Sequence, residues 1–323
     1  MKLYFDLLIT IGIIITALPA VILVYSKFRR PESWEHRHPK WTVLLVILLL
    51  IGTFTLVWGS FIEPRIIVTK THEIDLDEIK KPIKVALISD FQIGPYKKTK
   101  WMQKVVKKII ELQPDIVLLA GDHVDNSEYD EMEVTYLKPL QELVEKKIPV
   151  YAIHGNHEYG IGGGKAVKDP KYRIANVTKE TKETMEKLGI PYLVNDLEKI
   201  TILDESFYLF GADAWWGGKH DFSKLDERTE DIPTLMFIHN PAAVPTISKL
   251  ENIDIMLSGH THGGQIRLPL IGPVARVEDV SAKLHQGLHD IDDIKLLVTS
   301  GVGETGTRAR LFNPPEIVLL TIK

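Results

Sequence analysis

The chain has 323 residues, of which 45% are hydrophobic and 25% are charged, so it can bury a large apolar core. Its formal net charge is -4, and without a basic excess we expect no nucleic-acid partner. The absence of cysteine excludes disulfides and thiolate metal sites. Any bound metal must therefore be held by histidine, carboxylate or amide oxygen.

Two apolar runs open the chain. Residues 7–25 and residues 41–62 carry no charged side chain, and each run has about the ~20 residues that cross a bilayer as a helix. Trp41 and Trp58 lie near the ends of the second run, where interfacial aromatic residues are enriched. The alternative is a signal peptide followed by a buried core helix, but no small-x-small cleavage site follows the first run. We predict two transmembrane helices, with the lipid bilayer as a partner.

The loop between the two runs, residues 26–40, is basic. Its cationic residues are Lys27, Arg29, Arg30, Arg37 and Lys40. Because positive loops stay in the cytoplasm, we expect a multi-pass protein of the cell membrane whose large domain is extracytoplasmic. The predicted organisation is a membrane anchor at residues 1–62, a charged connector at 63–81 and one domain at 82–323.

Short β-type apolar runs alternate with helical patterns after the connector. The strands are predicted at residues 83–89, 116–120, 150–153, 207–211, 234–238, 254–257, 295–299 and 317–322. Helical spacing of apolar residues occurs at 100–112 and 131–146. Alternating strands and helices indicate a largely parallel sheet, and the closer spacing of the later strands indicates a second, mixed sheet. The predicted fold class is α/β, with two packed β-sheets flanked by helices.

Polar residues follow five of these strands directly. They are Asp90 and Gln92, then Asp122 and Asp125, then Asn156 and His157, then His239, and finally His260 and His262. Since ligands gather at the carboxyl ends of parallel strands, these side chains should meet at one edge of the fold. Asp, Asn and His without cysteine suit two hard or borderline divalent ions.

The motifs and their order resemble the calcineurin-like metallophosphoesterase superfamily. The resemblance covers residues 83–322 and rests on Gly121-Asp122-x-x-Asp125, Gly155-Asn156-His157-Glu158 and Gly259-His260-Thr261-His262-Gly263-Gly264. The closing segments, residues 299–303 and 310–316, resemble a membrane-associated bacterial phosphodiesterase branch related to UDP-2,3-diacylglucosamine hydrolases. The resemblance implies a four-layer sandwich that hydrolyses phosphoester bonds.

The resemblance also implies roles for individual residues. The first metal would be held by Asp90, Asp122 and His262, and the second by Asp122, Asn156, His239 and His260. His157 would be the catalytic residue that contacts the phosphate or leaving group, and Asp125 would support the ligands from behind. The implied cofactors are two divalent metal ions, with manganese expected and zinc, iron or magnesium as alternatives.

Gln92 departs from the family pattern, which has histidine at that position. An amide oxygen is a harder and weaker ligand than imidazole, so Gln92 would favour manganese or magnesium over zinc or iron. The departure motivates an alternative function, a non-catalytic metal-binding or sensor module with a degenerate first site. The intact His157 argues against that alternative, because a binding module has no use for a catalytic imidazole.

The substrate is defined less sharply than the chemistry. Arg308 and Arg310 are candidate phosphate ligands or surface ion pairs. Trp215 and Trp216 form either a wall for an acyl chain or sugar, or part of the core. The predicted activity is phosphodiesterase or pyrophosphatase hydrolysis at the membrane, on UDP-2,3-diacylglucosamine, another lipid-linked phosphoester or a phospholipid. Nucleotide-linked lipids are cytoplasmic whereas the charge bias places the domain outside, and the sequence leaves this choice open.

Overall fold

The computed structural model describes residues 2–127, 130, 132–277 and 279–323. Its first elements are two long apolar helices, α1 (Lys2–Arg29) and α3 (Pro39–Val57), joined through the short α2 (Trp34–Arg37). The chain leaves α3 through a π-helical turn, Trp58–Ile62, and a 3-10 turn, Glu63–Arg65. Both long helices have the length and hydropathy needed to cross a membrane, as the sequence predicted.

The two long helices pack against each other as a hairpin. The Thr53 hydroxyl donates a hydrogen bond to the Thr16 hydroxyl at 2.8 Å, and Gly12 lies against Leu56. Small residues at such a contact allow close approach of the two backbones. The hairpin therefore returns the chain to the side on which α1 begins.

Thirteen strands are present in the described residues. They are β1 (Val68–Ile74), β2 (Ile83–Ile88), β3 (Ile116–Leu119), β4 (Val150–Ala152), β5 (Asp196–Ile202), β6 (Glu205–Gly211), β7 (Thr234–Phe237), β8 (Ile255–Ser258), β9 (Arg267–Leu268), β10 (Gly272–Pro273), β11 (Gly287–Ile291), β12 (Ile294–Val298) and β13 (Glu316–Ile322). One sheet has the order β1-β13-β2-β3-β4, the other has the order β11-β12-β8-β7-β6-β5, and β9 and β10 form a separate pair. Strands β2, β3 and β4 run parallel, as do β6, β7, β8 and β12.

The helices of the domain complete a four-layer arrangement. They are α4 (Thr99–Leu112), α5 (Gln141–Glu145), α6 (Gly164–Lys168), α7 (Thr178–Lys187) and α8 (Val244–Ile247). One apolar cluster lies between the two sheets, a second joins the first sheet to α4 and α7, and a third joins the second sheet to α8. The predicted fold class, two packed sheets flanked by helices, is confirmed.

Three segments differ from the sequence prediction. The expected connector contributes β1, which pairs in parallel with β13 at the other end of the chain. Strands β5 and β11 were not predicted; each lies at an edge of the second sheet. The helix expected at 131–146 is a 3-10 helix, Glu133–Leu140, followed by α5, because Pro139 interrupts regular helical hydrogen bonding. Glu131, the first residue of that prediction, lies outside the described residues.

Candidate metal centre

The carboxyl ends of the parallel strands bring two groups of metal-ligand side chains together. Asp90, Asp122 and His262 form one group, and Asp122, His239 and His260 form the other. Within each group the ligand atoms lie within 4.8 Å of one another, and all five side chains are buried. We call Asp90, Gln92 and His262 the first half of the centre, and Asn156, His239 and His260 the second half. Asp122 is shared by both.

Buried ligand atoms in both halves lack a hydrogen-bond partner among the described residues. They are Asp90 Oδ1, Gln92 Oε1, Asn156 Oδ1, His260 Nε2, His262 Nδ1 and His239 Nε2. Buried polar atoms are nearly always paired, so a cluster of unpaired oxygen and imidazole nitrogen atoms needs an explanation. These are the donor atoms that hard and borderline divalent cations take. The residues present therefore fit two divalent metal ions.

The orientation of His239 is fixed from behind. Its Nδ1 lies 2.7 Å from the Ala120 carbonyl and donates to it, which turns Nε2 toward the centre. Nε2 lies 3.1 Å from Asp122 Oδ2 and 3.9 Å from Asp90 Oδ1, although the first contact lacks hydrogen-bond geometry. Burial disfavours the charged imidazole, but the Asp122 and Asp90 carboxylates outweigh it and raise the pKa of His239 to about 9. A metal ion bound by His239 would displace this proton. Burial instead lowers the pKa of His260 and of His262, so these two rings are held neutral, as metal ligands must be.

The backbone of the centre adopts an uncommon conformation. Five of the ligand-type residues have a positive φ, namely Asp90 (53°), Gln92 (46°), Asp122 (54°), His260 (71°) and His262 (49°). Non-glycine residues rarely adopt this region, and such conformations concentrate at functional sites. Gly155 and Gly259 allow the turns to approach each other, because a Cβ on either glycine would collide with the carboxylate of Asp122 or Asp90.

His157 lies beside the shared carboxylate. Its main-chain N–H donates to Asp122 Oδ1 at 2.8 Å, and its ring Nδ1 donates to the Asp125 carbonyl at 2.5 Å. The other ring nitrogen, Nε2, lies 3.9 Å from Asp122 Oδ2 and 3.4 Å from the Thr305 hydroxyl. Burial disfavours the charged ring, but Asp122 and Asp125 raise the pKa of His157 above its usual value. Asp125 supports the site through its backbone carbonyl rather than through its carboxylate.

Glu158 is a functional residue that the sequence analysis missed. Its buried carboxylate accepts hydrogen bonds from the main-chain N–H groups of Gly155 (2.8 Å), His123 (2.7 Å) and Asp122 (3.2 Å). It therefore ties the turn after β4 to the turn after β3. Burial, assisted by Asp122, raises the pKa of Glu158 to about 7. Its place directly after His157 was the only signal, and a sequence does not show which backbone groups a carboxylate will reach.

Gln92 is buried at the position predicted for a ligand. Its amide Nε2 donates to Asp122 Oδ2 at 2.9 Å, and its Oε1 has no partner among the described residues. The side chain thus offers one oxygen to the centre and one N–H to the shared carboxylate.

The two arginines make different contacts within the protein. Arg310 is fully buried, and its guanidinium donates to the main-chain carbonyls of Ser300, Gly301, Gly303 and Asn313. These contacts hold the turn behind Asp90. The phosphate-binding role of Arg310 stays a prediction. Arg308 pairs with Asp6 at 2.8 Å and lies over the Tyr96 ring, at the junction between hairpin and domain. Arg308 therefore forms an ion pair, which is the alternative role that the sequence analysis gave it.

The two tryptophans have different surroundings. The Trp216 ring packs edge-on against His260, with 4.5 Å between the ring centroids, and its Nε1 donates to Asp279. Trp215 stacks near His220 and packs against the apolar cluster outside the second sheet. Of the pair, Trp216 adjoins the second half of the centre, and Trp215 belongs to the core.

The chain is similar to known proteins. Residues 83–264 match the model of the calcineurin-like phosphoesterase family. The chain is similar to the phosphodiesterase YaeI of Escherichia coli (strain K12), with 31% identity over 75% of this chain and 82% of that protein. It is also similar to the uncharacterized metallophosphoesterase YkuE of Bacillus subtilis (strain 168), with 26% identity over 82% of this chain and 89% of that protein. Among solved structures, TT1561 of Thermus thermophilus matches with 10% identity over 69% of this chain and 92% of that chain, at a TM-score of 0.41.

The matched residues span more than half of the chain and contain the ligand-type residues of all five turns. This chain belongs to the calcineurin-like phosphoesterase family. It is a hydrolase of phosphoester bonds, which confirms the predicted enzyme class over the non-catalytic alternative. Divalent metal ions are the cofactors that this family implies.

Proposed function

We propose that this protein is a membrane-anchored, metal-dependent phosphodiesterase whose catalytic domain lies outside the cytoplasm. The observation that carries the catalytic part is the set of unpaired, buried ligand atoms around Asp122. The hairpin of α1 and α3 supports the membrane part, because both helices have the length and hydropathy of membrane spans. The basic loop between them supports the orientation.

The two halves would each hold one ion. Asp90, Gln92 and His262 would serve the first ion, and Asn156, His239 and His260 the second, with Asp122 reaching both. Two bound divalent ions supply an acidified water and neutralise the charge of the phosphoryl oxygens. The chain itself fixes the ligands, through Glu158 behind the turns and through the Ala120 carbonyl behind His239.

His157 would act on the leaving group. Its Nδ1 is tied to the Asp125 carbonyl, so its Nε2 is the atom that can face a substrate. Neighbouring carboxylates keep this ring protonated more readily than a free histidine. A proton at Nε2 can be donated to the leaving oxygen, and such proton transfer typically contributes ~10²–10⁴-fold to the rate. The same charge can also stabilise the phosphoryl oxygens.

A phosphodiester in or at the membrane is the substrate class that we infer. A hairpin anchor confines the enzyme to the bilayer surface, and the substrate is then most accessible when it is lipid-linked. Trp216, which adjoins His260, is the aromatic surface nearest to the second half and would contact an acyl chain or a sugar. A nucleotide-linked diacylglucosamine and a phospholipid both satisfy this description.

The catalytic part is tested on the purified full chain in neutral detergent. After removal of metals by chelation, Mn²⁺ should restore hydrolysis of bis(p-nitrophenyl) phosphate. We expect close to two bound metal ions per chain by elemental analysis. Absence of bound metal under every reconstitution condition would refute the dinuclear centre.

The orientation is tested separately in cells. A reporter that is active only in the cytoplasm, fused after Lys323, should give no signal. A reporter active only outside the cytoplasm, fused at the same residue, should give a strong signal. The opposite pattern would place the domain in the cytoplasm and favour a nucleotide-linked substrate.

A further inference from the structure

A pocket outside the metal centre lies where the anchor meets the domain. Its volume is about 580 Å³. One wall is the end of the second apolar helix, with Ser60, Pro64 and Arg65. The opposite wall is the start of α4 and the segment that precedes it, residues 96–101. The pocket therefore opens at the level where a membrane-spanning helix would leave the bilayer.

The lining of this pocket is strongly basic, in a chain whose net charge is -4. Its cations are Arg65, Lys97, Lys98, Lys100, Lys104 and Arg308, whereas Glu304 is its single acid. Glu304 is already paired with Lys97 at 2.6 Å. Among the described residues, no carboxylate lies within 4.0 Å of Lys98, Lys100 or Lys104. Arg308 is paired with Asp6, and Lys104 donates a hydrogen bond to the Arg65 main-chain carbonyl. The cations that line the pocket still outnumber its acids, and such an excess of positive charge in a concave site favours an anion.

Aromatic rings alternate with these cations. Lys97 Nζ lies 3.8 Å from the centre of the Trp101 ring, Lys98 Nζ lies 5.4 Å from that of Tyr136, and the Arg308 guanidinium lies 4.4 Å from that of Tyr96. The indole N–H of Trp101 is buried without an acceptor among the described residues. Aromatic and basic side chains together are typical of the interfacial zone, where acyl chains and charged headgroups meet.

We propose that this pocket binds the phosphate of an anionic membrane phospholipid, with the acyl chains against the apolar hairpin. The ligand chemistry is a phosphate joined to an apolar tail. Lysine and arginine supply the charge-assisted hydrogen bonds to the phosphate, and Tyr96, Trp101 and Tyr136 supply apolar surface. The inference rests on the proposed membrane location, but it does not require catalysis.

One segment connects this pocket to the metal centre. Glu304 and Arg308 line the pocket, and between them the Thr305 hydroxyl lies 3.4 Å from His157 Nε2. A lipid held in the pocket would thus touch the segment that borders the catalytic imidazole. The pocket and the metal centre are thus joined through residues 304–308.

The test is a lipid titration of the delipidated full chain in neutral detergent, followed by native mass spectrometry. The probes are phosphatidylglycerol, phosphatidylcholine and water-soluble glycerol phosphate. The pocket variant is Lys98→Gln with Lys100→Gln. The matched control is Lys107→Gln with Lys249→Gln, which removes the same charge from positions outside the pocket.

Phosphatidylglycerol should bind the unaltered chain more tightly than phosphatidylcholine. Each basic residue near a lipid surface contributes about 1 kcal/mol, so the pocket variant should bind phosphatidylglycerol about thirtyfold more weakly. The control variant should match the unaltered chain. Equal weakening in both variants, or none in either, would overturn the pocket as the site.

Glycerol phosphate distinguishes the source of the phosphate. It should not compete with phosphatidylglycerol at concentrations near the dissociation constant of the lipid, because it lacks the apolar tail. Effective competition would overturn the lipid assignment. His260→Ala should lose hydrolysis but keep phosphatidylglycerol binding, so failure of the catalytic proposal and failure of the lipid proposal give different results.

Discussion

The first and second halves of the metal centre share Asp122 but differ in their chemistry and support. The second half offers two imidazoles and one amide oxygen, from Asn156, His239 and His260. The first half offers one carboxylate, one amide and one imidazole, from Asp90, Gln92 and His262. The amide Nε2 of Gln92 also donates a hydrogen bond to Asp122 at 2.9 Å. A histidine nitrogen that binds a metal carries no proton, so it could not donate this hydrogen bond.

The supports differ as well. In the second half, His239 is held by the Ala120 carbonyl at the end of β3, within the core of the domain. In the first half, the main-chain carbonyl of His262 accepts a hydrogen bond from Asn313 at 2.7 Å, and the main-chain N–H of Asn313 donates to Glu63 at 2.6 Å. Glu63 belongs to the end of the second apolar helix. We therefore expect the first site to be the weaker of the two and to depend on the segment that follows α3.

The largest effect is expected from the residue that both halves share. Asp122→Asn removes the negative charge that faces His239, His157 and Gln92, so both metal sites should be lost and hydrolysis should fall to background. His260→Ala removes a ligand of the second half only, so it should abolish activity while one metal ion is kept. Elemental analysis of the two variants checks the difference. Two ions retained by Asp122→Asn would contradict the shared role.

His157→Ala separates catalysis from metal binding. Its ring is not needed to hold either ion, so both should remain bound while kcat falls about 10²-fold, equivalent to ~2.7 kcal/mol. If His157 is a general acid, alkyl esters should lose more activity than aryl esters with good leaving groups. Equal losses would indicate electrostatic stabilisation of the phosphoryl oxygens instead. His36→Ala, an exposed histidine of the basic loop, is the control. Full activity with both metals retained would show that His157 is structural.

Much of the fold followed from local pattern. Strands such as β2, β3 and β8 are short, apolar and fully buried or nearly so, and each ends in a turn that carries polar residues. Parallel strands bring their carboxyl ends to one edge, so strand prediction alone placed the ligand-type residues together. The sequence was therefore sufficient to place a ligand-type residue where one strand and the turn after it determine the position of that residue.

The remainder depended on contacts between distant segments. Strand β1 is identified only by its partner β13, which lies at the other end of the chain. From the sequence Arg310 was a candidate phosphate ligand or a surface ion pair, whereas in the structure its N–H groups donate to carbonyls of turns that approach it only in the folded domain. Glu158 and Asn313 likewise act on backbone groups far away in sequence. Side-chain to backbone contacts of this kind leave no periodic signal.

Gln92→His tests the chemical difference between the halves. An imidazole should shift the preference of the first site from manganese toward zinc, with zinc binding tightened by about tenfold or more, equivalent to about 1.4 kcal/mol. Competition titration with a chelator of known affinity measures the change. Gln103→His, on the exposed face of α4, controls for an added imidazole. Unchanged affinity and selectivity would show that the side chain at position 92 acts through Asp122 and is not a ligand.

The smallest effect is expected at Glu63, and it tests the difference in support. The Glu63 carboxylate accepts hydrogen bonds from the Trp58 indole N–H at 2.7 Å and from the Asn313 main-chain N–H at 2.6 Å. Glu63→Gln keeps the shape but offers only one acceptor oxygen, so one buried donor loses its partner at a cost of about 1–3 kcal/mol in the free energy of unfolding. Because Asn313 also holds the His262 carbonyl, the metal affinity of the first site should fall by no more than about tenfold, and that of the second site should be unaffected.

The control is Glu73→Gln, at the exposed pair with Lys323, which should change neither the free energy of unfolding nor the metal affinity. Thermal unfolding and separate metal titrations measure both. If Glu63→Gln weakens the two sites equally, the segment after α3 supports the whole centre and the proposed difference between the halves is wrong. If it lowers stability alone, the connection to His262 does not affect metal binding.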